Sequence, residues 1–509
     1  MLRSWKSLIA VSVLFATGLA GCSGGGGAVP TVSGIPAGRH SNSYMRPGMA
    51  RIQSQPPDFM QMAFVMTDGS VLTQSYSNNA VWYKYVPDQN GDYSDGTWSQ
   101  VGSLQSGYGP DAFASDVLPD GRLAIIGGEY NVPGNYDLQL VNLGAVYDPT
   151  SGTWTPLGHP KNWQYIGDSP STVSADGRML VGQKLEQNVA ALDEKTLKWT
   201  TLPHTNKSDF NSEEGWTLLP DGDILTEDVK NSPNSELYNV STGTWKSAGK
   251  IPVTLASPTD IYGCLTYGPK PKDCYYPPGE IGPALLRPDG TVFATGSNSG
   301  ASGYGAGHTA IYNVKSGKWT AGPDIPNGDN AGDSYAALLP SGDVLVFGLF
   351  GGLYEFDGTK FTDEGTYGGS PVLLPTGQVL IVGNSTVLYT GQGKPKAAWA
   401  PKVTKFTATM SRGQTYTIAG RQFNGMGQAM AFGDEFQNAT NYPLVRITMT
   451  SSGHVFYART HDHSSMGVQT GKLIVTTQVD IPSKMEAGSG SLVVVANGIP
   501  SKPVAVTIK

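Results

Sequence analysis

One turn, repeated seven times, constrains this chain more than any other feature. An apolar run, then Asp-Gly or a near variant, then a second apolar run recur at Asp68-Gly69, Asp120-Gly121, Asp176-Gly177, Asp221-Gly222, Asp289-Gly290, Ser341-Gly342 and Thr376-Gly377. Asp-Gly between alternating apolar runs signals a β-hairpin, because the turn needs a positive φ that glycine adopts without cost. Successive copies lie 35 to 68 residues apart, space for about four short strands each. Most units carry a second mark, a small turn and then an aromatic: Trp98, Trp154, Trp199, Trp245, Trp319 and Phe361. A four-stranded unit has two apolar faces and cannot bury both alone. Stacking the units around an axis buries both, with the aromatic wedged between neighbours. The pattern predicts an all-β chain with a seven-bladed β-propeller over residues 40–400. A solenoid or an open sandwich is the alternative. The last unit, from about Tyr367 to Gly391, is one strand short, and the segment around His40 to Gln55 is expected to supply it and close the ring.

From about Pro401 the hairpin turns and wedge tryptophans stop. Gly413 to Gly425 and Ser491 to Pro500 read as alternating strands with turn signals, which suits a β-sandwich over 401–509. These strands resemble the early-set immunoglobulin-like domains. The turn-plus-tryptophan units resemble kelch repeats, although the Gly-Gly pair of that repeat is clear only at Gly127-Gly128.

The N-terminus reads as an address. Arg3 and Lys6 precede an apolar stretch, Leu8 to Leu19, that is too short to span a bilayer. Leu19-Ala20-Gly21-Cys22 resembles a bacterial lipobox, which implies a signal peptide over 1–21 and acylation of Cys22. Residues 22–39, with Gly24 to Gly27, are then a flexible tether. Ser23 after the cysteine resembles outer-membrane sorting if the cell is Gram-negative. The expected location is therefore the cell envelope, with the membrane engaged through the N-terminal lipid. An ordinary signal peptide with a chance cysteine is the plainer reading. Export exposes the chain to oxidising conditions, so Cys264 and Cys274 are expected to form a local disulfide, with two free thiols as the alternative.

The chain carries a net charge of −7 and shows no cluster of Lys and Arg, which argues against a nucleic-acid partner. Only 15% of residues are charged, and 66 glycines and 35 prolines fit turn-rich β structure. No Gly-x-Ser-x-Gly, His-Glu-x-x-His, phosphate-loop or dinucleotide motif is present.

The order of repeats and sandwich, with Tyr367 to Gly377 and Thr460-His461-Asp462-His463-Ser464, resembles the galactose oxidase and glyoxal oxidase family across residues 40–509. That resemblance implies a copper ion held by a cysteine-crosslinked tyrosine, a Tyr-His pair and a sandwich histidine. Counted back from the hairpin glycines, the cysteine position is Ala112 and the crosslinked tyrosine is Asp168. The Tyr-His pair is Tyr367-Gly368, and the sandwich histidine is matched by His461. With two of five residues kept, the resemblance implies the fold and not the oxidase, and copper is not expected.

The same register yields acids. Nine residues before the turn glycine stand Asp168, Glu213 and Asp333, and ten before it stand Asp111 and Glu280. That position opens the innermost strand of each blade, at the mouth of the central channel. Convergent carboxylates there would suit calcium or magnesium, or a cationic or hydroxyl-bearing ligand. Polar lining of a wet channel is the structural alternative. Asp116 and Glu214 fit either class. His461 and His463 alternate along a strand and would share a face, a weak metal signal. His461 is expected to reach the acidic mouth, and Tyr165, Trp216, Tyr335 and Tyr367 to lie beside it as sugar-stacking rings or as core. The candidate ligand-binding set is Asp111, Asp168, Glu213, Glu280, Asp333, Tyr367 and His461. The expected function is a membrane-anchored, non-catalytic binding protein for a glycan or an envelope protein, with no cofactor beyond a possible calcium ion. A carboxylate-based polysaccharide lyase or hydrolase is the alternative, and a copper oxidase ranks last.

Overall fold

The computed structural model describes residues 48–131, 140–257, 265–267, 270–275, 279–298, 306–428, 430–432 and 441–509. Cys22 and the pairing of Cys264 with Cys274 lie outside what is described.

Seven four-stranded antiparallel units form a propeller. Each Asp-Gly turn joins the innermost strand of a blade to the next, and all seven turn glycines have φ between +76° and +91°. The aspartate fixes the turn by accepting from the backbone two residues on, as Asp68 does from Ser70 N at 3.0 Å and Asp289 from Thr291 N at 3.0 Å. In blade 7 the strands Ser370–Leu373, Val379–Val382 and Val387–Thr390 are followed outward by Gly48–Arg51. Gly48 lies opposite Thr390 and Arg51 opposite Val387, so the N-terminal strand closes the ring. The inner strands of blades 1 and 7 are neighbours.

The recurrent aromatics sit between blades. Trp98 Nε1 donates to Ser54 O beside the closing strand, Trp199 Nε1 to Gly158 O of blade 2, and Trp319 Nε1 to Ser235 Oγ of blade 4. Trp154 of blade 2 packs on Trp82 of blade 1 with centroids 4.9 Å apart. Between blades 5 and 6, Phe293 stacks on Phe356 at 3.9 Å. The middle strands are apolar on both faces; in blade 7 Val379, Leu380, Ile381 and Val382 are all fully buried.

The C-terminal residues form a curled nine-stranded sheet that begins at Lys402–Lys405. It encloses its own core, with Ile418, Val445, Ile447, Val479, Leu492 and Val494. This sheet docks on the Asp-Gly end of the propeller. Arg459 donates to Asp120 O at 2.7 Å, His463 N to Pro119 O at 3.2 Å, Met466 N to Ala175 O at 3.1 Å, and Gln469 Nε2 to Arg287 O at 3.0 Å. It also sends a strand, Met430–Phe432, up the axis, where Phe432 lies opposite Tyr335 of the blade 6 inner strand. Among the described residues no helix is long and apolar enough to cross a membrane.

Candidate functional site

The site is the end of the channel away from the docked sheet, where the inner strands begin. Five blades bring a carboxylate there just ahead of the inner strand: Asp111, Asp168, Glu213, Glu280 and Asp333. A sixth, Glu129, arrives from the other side of blade 2, in the loop after its second strand. Its backbone N–H donates to Asp111 O at 3.1 Å and Ala112 O at 2.9 Å, and Asp111 bridges to Tyr130. Local backbone holds the others. Asp333 takes φ +52°, and its N–H donates to Ile281 O at 3.1 Å, while Glu280 N donates to Ser257 Oγ at 2.8 Å.

Among the described residues one cation stands with them. Lys184, from the loop after the second strand of blade 3, is ion-paired to both Asp168 and Glu213, and its side chain is 3% exposed. Among the described residues six carboxylates stand against one ammonium, an excess of negative charge in a poorly solvated place. Burial is the largest cause pushing these carboxyls up, and the neighbours add to it. Asp111 is pushed up to about 6. Asp168 is raised by burial and by Glu213 against the pull of Lys184. Glu280 is raised by burial, then by Glu213 and Asp333. Asp333 is raised by burial, then by Glu213 and Glu129, and Glu129 by burial, then by Asp168. Glu129, Asp168, Glu213, Glu280 and Asp333 repel one another, whereas burial is what raises Asp111. Asp168 Oδ1 and Asp111 Oδ2 are buried and accept no hydrogen bond.

Glu129, Lys184 and Tyr130 escaped the sequence reading. They come from a second set of loops whose lengths vary between blades, so no fixed offset from the hairpin glycine reaches them. A lysine in the apolar stretch Met179 to Lys184 was the available signal.

One expected member lies elsewhere. His461 belongs to the docked sheet, where its ring bonds Asp462 Oδ2 at 2.8 Å and Asp480 Oδ1 at 3.1 Å, and the preceding Thr460 N donates to Thr67 O at 3.2 Å beside the first Asp-Gly turn. It therefore sits at the opposite end of the inner strands from the acids, because the sheet's reach into the channel is made by the strand ending at Phe432. Tyr367 stands at the same end as the acids, just ahead of the blade 7 inner strand, and donates to Ser385 O at 2.6 Å. The two histidines do not share a ligand: His463 is buried and bonds Thr477 Oγ1 at 2.9 Å. The expected stacking rings are also mostly enclosed, with Tyr165 3%, Trp216 0% and Tyr335 6% exposed. Apolar packing claims these rings before a ligand can.

Copper, which the family resemblance implies, does not fit. Its positions are Ala112, Asp168, Tyr367, Gly368 and His461, and they neither converge nor supply the imidazole and thiolate donors copper favours. Among the described residues no three His, Cys, Asp or Glu side chains are placed to hold a metal ion.

A second charged cluster lies inside blade 4. Lys207 is fully buried, 3.0 Å from Glu214 Oε1 and 3.6 Å from Glu236 Oε2, with its ammonium 4.3 Å from the centre of the Trp245 ring. Asp209, Glu227 and Asp228 are buried around it. Glu214 therefore belongs to this interior network and not to the mouth.

No protein-family model matches the chain, and no curated protein matches it. Solved structures share the fold at low identity. A fungal alcohol oxidase of the AA5 family in complex with copper is 13% identical with a TM-score of 0.47, covering 91% of this chain and 98% of that one. A catalytically inactive virginiamycin B lyase from Staphylococcus aureus with quinupristin is 11% identical with a TM-score of 0.45, covering 68% and 99%. The extracellular domain of a one component system candidate from B. thetaiotaomicron is 11% identical with a TM-score of 0.44, covering 92% and 58%.

Proposed function

We propose that this chain is an exported, lipid-anchored binding protein that takes a cationic group of a glycan or an envelope protein at the acidic end of its channel. The placement of Glu129, Asp168, Glu213, Glu280 and Asp333 about Lys184 supports the reading. Excess carboxylate is costly in a poorly solvated site, and an arriving ammonium or guanidinium group offsets that cost. Enclosed aromatic rings favour recognition by charge and hydrogen bonding over recognition by sugar stacking. The lipid anchor rests on the Cys22 signal, and the kelch and immunoglobulin-like assignments rest on the sequence patterns.

The test is a screen of cationic and neutral glycans and of envelope extracts against the soluble chain, repeated with the Glu280→Gln/Asp333→Asn double variant. Binding of amine-bearing ligands that weakens at least about tenfold in the variant and with added salt supports the reading. Preference for neutral ligands, or affinity unchanged in the variant, overturns it.

A second reading has one observation in its favour. Burial and the neighbouring Glu213 raise the Asp333 carboxyl, while Glu213 is ion-paired, so the site sets a group that favours its proton beside a carboxylate. Turnover of a bound glycan, lost in Asp333→Asn, would establish a hydrolase or lyase.

A further inference from the structure

We propose a second ligand site at the other end of the channel: an alkali-metal cation held between the propeller and the docked sheet by Asp116, Asn441 and Gln428. A cavity there is lined by Asp116 of blade 2, Thr172 of blade 3 and Leu218 of blade 4, and is closed by Gln428, Asn441 and Met466 of the C-terminal domain. It has room for one small ion or water.

Two oxygens on residues that line it stand out. Asp116 Oδ2 and Asn441 Oδ1 are both buried and accept no hydrogen bond of ordinary geometry, on side chains 2% and 5% exposed, and the Ser171 hydroxyl is the one neutral donor beside the Asp116 carboxyl among the described residues. Buried acceptors left without a donor cost about 1–3 kcal/mol each, so native structures usually satisfy them. A water molecule would supply hydrogens but no charge. Among the described residues Asp116 has no salt-bridge partner, and burial raises its carboxyl well above the ordinary range, so the empty site keeps a proton that an entering cation displaces. The donors facing the cavity are a carboxylate, side-chain amides and a hydroxyl, which are hard oxygen groups. A single carboxylate matches one positive charge and so points to sodium or potassium. Because the lining comes from three blades and from the C-terminal domain, the ion would fasten one domain to the other. This inference does not depend on the acidic end of the channel.

The experiment is calorimetric unfolding of the full chain at about pH 8, where few protons compete with a cation for the carboxyl, in sodium, potassium or choline chloride at equal ionic strength. A Tm about 2–5 °C higher in one or both alkali salts than in choline chloride is expected, and Asp116→Asn is expected to abolish the difference. Equal Tm in all three salts overturns the proposal. So does an undiminished alkali effect in Asp116→Asn. If that variant does not fold, broadening of the sodium-23 resonance by the wild-type chain, with displacement by potassium, replaces it, and absence of both broadening and salt effect overturns the proposal. A rise with calcium chloride alone overturns it as well.

Discussion

Replacing Lys207 by methionine tests whether the interior of blade 4 is held by charge. The lysine side chain is 0% exposed and has two carboxylate partners, at 3.0 and 3.6 Å, and the Trp245 ring beneath it. Methionine keeps most of the volume and removes the charge. Breaking a buried pair by deleting one partner costs about 3–5 kcal/mol, because the other charge is left uncompensated. The lost cation–π contact adds to this, by up to about 2 kcal/mol where the cation is desolvated. A loss of at least about 3 kcal/mol in urea unfolding is therefore expected.

The pH dependence makes that test sharper. Burial pushes Glu214 up to about 7 and Glu227 up to about 8. A carboxyl with a raised folded value contributes stability that is full below its ordinary range, near 4.5, and that is lost as pH rises through 7 to 8. Lys207 itself is pulled down by burial but pushed up more by Glu214 and Glu236, so it stays charged throughout that window. Without its ammonium the acids rise further and keep their protons to higher pH. The destabilisation by Lys207→Met should thus be larger at about pH 8 than at about pH 5. A loss below about 1 kcal/mol, which is what an exposed pair gives, or an equal loss at both pH values, would refute the reasoning.

Other outcomes follow from the same geometry. Glu280→Gln/Asp333→Asn removes two carboxyls whose ionisation is disfavoured, so differential scanning calorimetry should show a Tm above wild type at about pH 8 and near wild type at about pH 5, a gain of at least about 1 kcal/mol at the higher pH. Gly69→Ala puts a Cβ 2.5 Å from the Tyr457 ring at φ +76°, so faster proteolysis within the C-terminal sheet and a loss of about 1–3 kcal/mol are expected. Phe293→Ala empties the stack with Phe356 between blades 5 and 6, and chemical denaturation should register about 3–5 kcal/mol. Arg178→Ala breaks a pair whose aspartate is 54% exposed, and the same measurement should find no more than about 1 kcal/mol.

The propeller was legible because its signal is local. An Asp-Gly hairpin needs a positive φ and an acceptor two residues upstream, so it leaves the same dipeptide mark in nearly every blade. The register of Asp111, Asp168, Glu213, Glu280 and Asp333 was legible for the same reason, since an inner strand of nearly fixed length ties each acid to its turn. Glu129 and Lys184 come from loops that follow no such ruler. His461 misled because a His-x-His pair on a strand looks like a ligand set, whereas Asp462 and Asp480 already hold its ring. Lys207 was invisible because a lone lysine in sequence says nothing about which carboxylates surround it. Asp116 was noticed, but its cavity exists only because Asn441, some 325 residues further along the chain, closes it.

The closing strand of blade 7 sets an order of events. Gly48–Arg51 is made first, yet its partner, Val387–Thr390, is made more than 330 residues later. Until that partner emerges, the early strand has nowhere to go, and blade 7 completed from the later side alone would present Val387–Thr390 as a bare, apolar edge. Such an edge is a template for another chain. Assembly therefore finishes by joining the oldest part of the propeller to the newest, and neighbouring copies that meet before that join is made are at risk of pairing edge to edge.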